Sequence, residues 1–181
     1  MMRRRILAVM ALAVLTIGAT SAIDAPTKLI WNATASAPIG FYTVEPAERI
    51  DVPELVAVMP PEPHAAFMVE RGYVGRGVPL LKRVLGLPGQ RACRIGSTIT
   101  VDGVEMGEAL QRDRIGRDLP MWQGCRVIGD GEIFLMNGQV RDSLDGRYFG
   151  PIPASSVIGR ALPLWTDEEG DGRYQWRAPT Q

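Results

Sequence analysis

The amino-acid sequence predicts a mainly β domain with one short helix, preceded by an N-terminal membrane helix. Three observations carry that expectation. Past residue 35, apolar residues recur at period two or in short runs, the spacing of strands. Twenty glycines and 14 prolines are spread along the chain, punctuating short strands with turns. An uncharged apolar run comes directly after three arginines at the start. At 181 residues the chain can bury one core but is too short for two.

Taken in order, Arg3, Arg4 and Arg5 precede the run ILAVMALAVLTIGATSAI, which ends at Ile23. Positive charge before such a run holds the N-terminus in the cytoplasm and sends the downstream chain across the membrane. As a helix the run would span about 27 Å, just short of a hydrocarbon core of about 30 Å. Thr20 and Ala22 are small residues suited to the −3 and −1 positions of a cleaved signal peptide; an uncleaved anchor is the other reading. Either way, residues 1–24 form an export segment and residues 25–181 a domain outside the cytoplasm. That domain would be tethered to the cytoplasmic membrane on its periplasmic side, or free in the periplasm after cleavage. A cytosolic helix would have to bury three arginines.

The connector DAPTKLIWNATA leads into the domain. Strands are expected at Phe41–Val44, Leu55–Met59, Leu80–Leu85, Thr98–Val101, Arg126–Ile128, Ile133–Met136 and Val157–Leu164. Asp102-Gly103, after an alternating ITV, is a hairpin turn signal. One helix is expected from His64 to about Arg71, entered from prolines and stopped by Gly72. The polar, glycine-containing tail from Asp167 to Gln181 reads as loosely held, and there is no internal repeat.

Twenty basic and 20 acidic residues leave a formal net charge of zero, so nothing electrostatic favours a nucleic-acid partner. Hydrophobic content of 46% against 22% charged residues argues against disorder. Two cysteines and one histidine are too few to suggest a zinc site, and no cofactor is expected. In an oxidising compartment Cys93 and Cys125 could form a disulfide; they could equally be two buried thiols.

Histidine is the usual base of serine and cysteine peptidases, but His64 comes after Pro61-Glu62-Pro63 in what reads as a surface turn. Lysine is the remaining base near neutral pH. An ordinary lysine, with a pKa near about 10.4, is unprotonated in about one molecule in a few thousand at pH 7. Apolar surroundings must therefore destabilise the ammonium by about 3–4 kcal/mol. In PLLKRVLGLPG, strand alternation puts Leu80, Lys82 and Val84 on one face, so Lys82 sits between branched apolar neighbours. A lysine so flanked can also be an edge-strand residue that snorkels to water. Lys28 lies in the connector and is not placed to be buried. Ser36, in NATASAPIGFY, is surrounded by alanines that leave room for a peptide, and precedes a sharp turn at Pro38 and Gly40. By itself it reads equally as linker.

Three segments together resemble the type I signal peptidase superfamily, and its TraF-type conjugative transfer branch in particular. Ser36-Ala-Pro-Ile-Gly-Phe-Tyr resembles the nucleophile box, Lys82-Arg-Val-Leu-Gly-Leu-Pro-Gly the lysine box. Asn137-Gly138 and then Ser143-Leu-Asp145-Gly-Arg147-Tyr-Phe-Gly-Pro resemble the third box, which packs beside the lysine. The boxes stand in family order and reach from about Ser36 to Gly159. The resemblance implies a signal-peptidase-like small β-sheet or barrel domain and a serine peptidase with a Ser36–Lys82 dyad. It makes Ser36 the nucleophile, Lys82 its general base, and the Ser36 N–H with the Thr34 hydroxyl the oxyanion hole. It has Ser143 orient the Lys82 amine, and Asp145 pair with Arg147 to brace the loop.

Gly146 departs from the serine usual between Asp and Arg, which reads as a lost hydroxyl near the site, and Ala37 replaces a common methionine. There is no room for the large insert of housekeeping signal peptidases, and one membrane segment stands where they have two. The resemblance therefore implies an exported precursor as substrate, a conjugative pilin, bound as an extended strand with small residues at P1 and P3. The acyl-enzyme would pass to water or to a free amine, the latter closing a cyclic product. A general signal peptidase and a catalytically silent part of a secretion channel are the rival expectations. A self-cleaving repressor would need a DNA-binding domain that Arg3–Ile23 cannot supply.

Overall fold

A computed structural model describes residues 2–21 and 27–179. The N-terminal segment forms helix α1, Met2–Ser21. Its arginines occupy the first turn, so the uncharged stretch Ile6–Ser21 covers only about 24 Å at roughly 1.5 Å per residue. No helix among the described residues is long and apolar enough to cross a membrane. The expected N-terminal helix is present, and a membrane-crossing length is not reached among the described residues. Ala22 and Ile23, which would lengthen the run and complete the cleavage motif, lie outside the described residues.

The rest is mainly β, as the spacing predicts. Strands β1 (Leu29–Asn32), β2 (Ile39–Glu45), β3 (Leu55–Val58) and β4 (Leu80–Gly86) come first, with helix α2 (His64–Glu70) between the last two. Next in the chain are β5 (Arg91–Ile95), β6 (Thr98–Val101), β7 (Val104–Glu108), β8 (Gly124–Val127) and β9 (Glu132–Leu135). A one-turn helix α3 (Gly146–Phe149), β10 (Ile152–Pro153), β11 (Val157–Asp167) and β12 (Gln175–Trp176) complete the chain.

Two antiparallel sheets result. The larger runs β1-β2-β11-β3-β4-β9-β10, with β12 added to β11; the smaller runs β7-β6-β5-β8. All four side chains of β3 are buried because both faces of the large sheet are covered there. Leu55 and Ala57 pack with Tyr42, Val44 and Leu81 on one face; Val56 and Val58 pack with Val84, Ile133 and Leu135 on the other. A third cluster, including Ile99, Val101, Phe134 and Met136, joins the smaller sheet to the larger. Cys93 and Cys125 face each other across β5 and β8 and form a disulfide, which closes the alternative of two free thiols.

Five strands are not marked by the sequence pattern, among them the two-residue β10. β1 lies within the expected connector, four residues long with only Ile30 and Asn32 turned inward. β5 and β7 lack clean alternation, and β12 ties the expected loose tail to β11 through Trp165 and Trp176. That tail is further held where the Asp167 carboxylate accepts from the Asp171 and Gly172 N–H groups.

Candidate active site

Strand β4 carries Lys82 into the interior. Its backbone pairs with Val56 of β3, and its side chain is only 5% exposed. Burial is the chief reason its amine is pulled down from 10.5 to about 8; nearby Asp145 opposes that shift and Arg147 adds to it. Lys82 Nζ donates a 2.7 Å hydrogen bond to Ser143 Oγ, also buried.

Ser36 sits on the turn between β1 and β2. Asn32, at the end of β1, organises that turn. Its Nδ2 donates to the carbonyls of Thr34, Ala37 and Pro38 at 2.8–3.0 Å, and its Oδ1 accepts from Thr34 N–H at 3.2 Å. Buried Tyr42 donates its hydroxyl to the Pro38 carbonyl at 2.7 Å. Ser36 Oγ lies 3.1 Å from Thr34 Oγ1, which itself donates to Asn32 Oδ1 at 3.1 Å. The Thr34 hydroxyl proton is thus engaged in the resting molecule and must rotate to serve an oxyanion.

Ser36, Thr34, Lys82 and Ser143 line one cleft of about 480 Å³. No hydrogen bond joins Ser36 Oγ to Lys82 Nζ among the described residues; each is held by its own neighbour, Thr34 and Ser143. Such contacts commonly tighten only when substrate arrives. One wall of the cleft is Ile30–Ala33 at the edge strand β1, the other Val78–Leu81 leading into β4.

Behind the lysine, Arg147 is fully buried and forms a two-pronged pair with Asp145, Nε to Oδ1 at 2.8 Å and Nη2 to Oδ2 at 3.0 Å. Its remaining N–H groups reach the carbonyls of Glu108, Asn137, Val140 and Arg141. One guanidinium therefore staples the loop carrying Ser143. Gly146 is a matter of space. A Cβ there would lie 2.6 Å from the Leu135 carbonyl oxygen and 2.8 Å from the Phe134 ring. The serine usual at this position could not fit, so the departure reflects packing more than a lost hydroxyl.

His64 stacks on Phe149, ring centroids 4.4 Å apart, and does not line the cleft that holds Ser36. Among the described residues no group of three His, Cys, Asp or Glu side chains could hold a metal ion. Of the other residues of the site, Asn32 is missed in the sequence, and Asn137 stands in the third motif there without a role. An Asn two residues before a Thr in a turn is a recognisable local pattern; the contacts of Asn137 are long-range and leave no such mark.

The family description "Signal peptidase, peptidase S26" matches residues 2–165. A "Conjugal transfer protein TraF" of Agrobacterium fabrum is 40% identical over 147 residues, 75% of this chain and 81% of that protein. A "Plasmid transfer protein TraF" of Escherichia coli is 31% identical over 146 residues, covering 75% and 81%. A "Probable signal peptidase I-1" of Synechocystis is 28% identical over 111 residues, covering 61% and 52%.

Proposed function

Because the chain belongs to the signal peptidase family, peptidase S26, we propose that it is an exported serine endopeptidase that cleaves a conjugation-related precursor through Ser36 and Lys82. The observation that carries this reading is the buried Lys82 amine, lowered to about 8, opening on the same cleft as the Ser36 hydroxyl. An amine so placed is unprotonated in about a tenth of molecules at pH 7, against about one in a few thousand for an ordinary lysine.

In this mechanism Ser36 Oγ attacks the scissile carbonyl while Lys82 Nζ takes its proton. The tetrahedral oxyanion is held by the Ser36 N–H and, after rotation, by the Thr34 hydroxyl. Lys82 then passes the proton to the leaving amine, and an acyl-enzyme forms on Ser36. Water or a free amine, deprotonated by Lys82, resolves it. Ser143 aims the Lys82 amine, and the Asp145–Arg147 pair holds Ser143.

The substrate is a pilin-like precursor, lying extended between β1 and the start of β4 with small side chains at P1 and P3. The free edge of β1 and the length of the cleft support this. The catalytic domain works on the outer side of the cytoplasmic membrane. The arginine-led N-terminal segment and the disulfide support that placement, since structural disulfides persist in oxidising compartments.

Two variants test the reading. Ser36→Ala and Lys82→Ala should each abolish processing of the co-expressed pilin while the protein still accumulates outside the cytoplasm. Processing that survives either change would refute the dyad. Cleavage of unrelated preproteins by the purified enzyme would instead point to a general signal peptidase.

A further inference from the structure

We infer that Asn137 is a positioning residue for catalysis, its side-chain amide holding the nucleophile turn against the strand that carries the base. The inference rests on the Ser36–Lys82 reading above. Asn137 is 5% exposed and lies just past the end of β9. Its Nδ2 donates to the Ser36 carbonyl at 2.6 Å and to the Leu81 carbonyl at 3.1 Å. Its Oδ1 accepts from Arg83 N–H at 2.9 Å. One amide thus holds the carbonyl of the nucleophile residue and the backbone on both sides of Lys82. The partners also fix its orientation, because a flipped amide would set oxygen against two carbonyl oxygens.

The geometry has a simple origin. The ladder between β4 and β9 extends only as far as Met136 N–H, which donates to the Arg83 carbonyl. One residue later the chain turns toward Ser143, leaving the outer edge of β4 open beside Lys82. The Asn137 side chain takes the place of a strand there, giving to residue 81 and accepting from residue 83. Its second Nδ2 proton is left for Ser36, 101 residues earlier in the chain. Among the described residues no other hydrogen bond ties the turn 33–38 to β4 or to the loop carrying Ser143. Asn137 is in turn anchored at both ends of its own backbone. Its N–H donates to Asp145 Oδ2 at 3.1 Å and its carbonyl accepts from Arg147 Nη2 at 2.8 Å. The Asp145–Arg147 pair therefore reaches Ser36 through Asn137 as well as Lys82 through Ser143.

The test uses the full-length enzyme and an internally quenched peptide with alanine at P1 and P3, with Ser36→Ala as the inactive control. Asn137→Ala should lower kcat about 100-fold, the scale of an ångström of misplacement, with KM within about threefold. Asn137→Asp keeps the shape and the acceptor for Arg83 but loses the donor to Ser36 unless its carboxyl is protonated. Buried against the Ser36 and Leu81 carbonyl oxygens, that carboxyl is raised from its usual range toward neutral pH, so kcat relative to the parent should rise as pH falls from 9 to 6, whereas the Asn137→Ala ratio should stay flat. A purely structural role would not produce that difference. Both variants keeping kcat within twofold of the parent, or an Asn137→Asp ratio flat with pH, would overturn the inference. Turnover by Ser36→Ala would instead overturn the dyad on which it rests.

Discussion

Lys82 Nζ and Ser143 Oγ, 61 residues apart in sequence, meet at 2.7 Å in the interior. That contact gives the buried amine a polar partner without giving it a countercharge. A carboxylate in place of Ser143 would hold the lysine protonated and useless as a base; a methyl group would leave the amine without a partner. A hydroxyl does neither.

The same arrangement sets the pH dependence. With the Lys82 amine lowered to about 8, the unprotonated form that accepts the Ser36 proton grows as pH rises. The ratio kcat/KM should climb about tenfold per pH unit below 8 and level off above it. A kcat/KM profile measured from pH 6 to 10 checks this, and a midpoint near 10.5 would show the amine to be solvated in the free enzyme.

Burial of that amine carries a cost in stability. Lys82 titrates near 8 when folded and near 10.5 when not, so at pH 7 the native state is penalised by about 3 kcal/mol. The penalty fades as pH rises from 8 to 10.5, because only the unfolded chain still binds the proton there. Lys82→Met should therefore raise the denaturation midpoint at pH 7 while abolishing cleavage, and the gain should shrink by pH 10. Urea unfolding at the two pH values provides the comparison.

Gly146→Ser introduces the residue that related enzymes carry, yet it should be harmful here. The added Cβ would sit 2.6 Å from the Leu135 carbonyl oxygen, a contact that cannot persist. Overpacking of this kind costs about 1–3 kcal/mol, and the displaced loop carries Ser143. The variant should melt several degrees lower and cleave more slowly, as differential scanning calorimetry and a kcat measurement would show.

Opening the Cys93–Cys125 disulfide should separate stability from chemistry. It closes a 32-residue separation within the smaller sheet, for which chain entropy predicts about 3–4 kcal/mol. The double serine variant should unfold at lower denaturant concentration yet retain kcat at 25 °C, because neither cysteine lines the cleft.

Local patterning made much of this fold legible. Alternation marked β2 and β6, compact apolar runs marked β3, β4 and β9, and the prolines and Gly72 bracketed α2. β1 was missed because four residues with two turned inward carry too little pattern, and β12 because its strand character comes only from β11 beside it.

The candidate site divides in the same way. Strand periodicity put Lys82 on one face with Leu80 and Val84, since that depends only on neighbours two residues away, but it left open whether the amine is buried or snorkels to water. Ordered motifs brought Ser36, Ser143, Asp145 and Arg147 into consideration. What the linear chain could not express was the joining of distant backbone: the amide of Asn137 beside Ser36, the guanidinium of Arg147 among four carbonyls, the lack of room at Gly146. Periodicity is set by neighbours along the chain, whereas hydrogen bonds and close contacts are set by which backbone arrives beside which, and that is decided only when the two sheets close on one another.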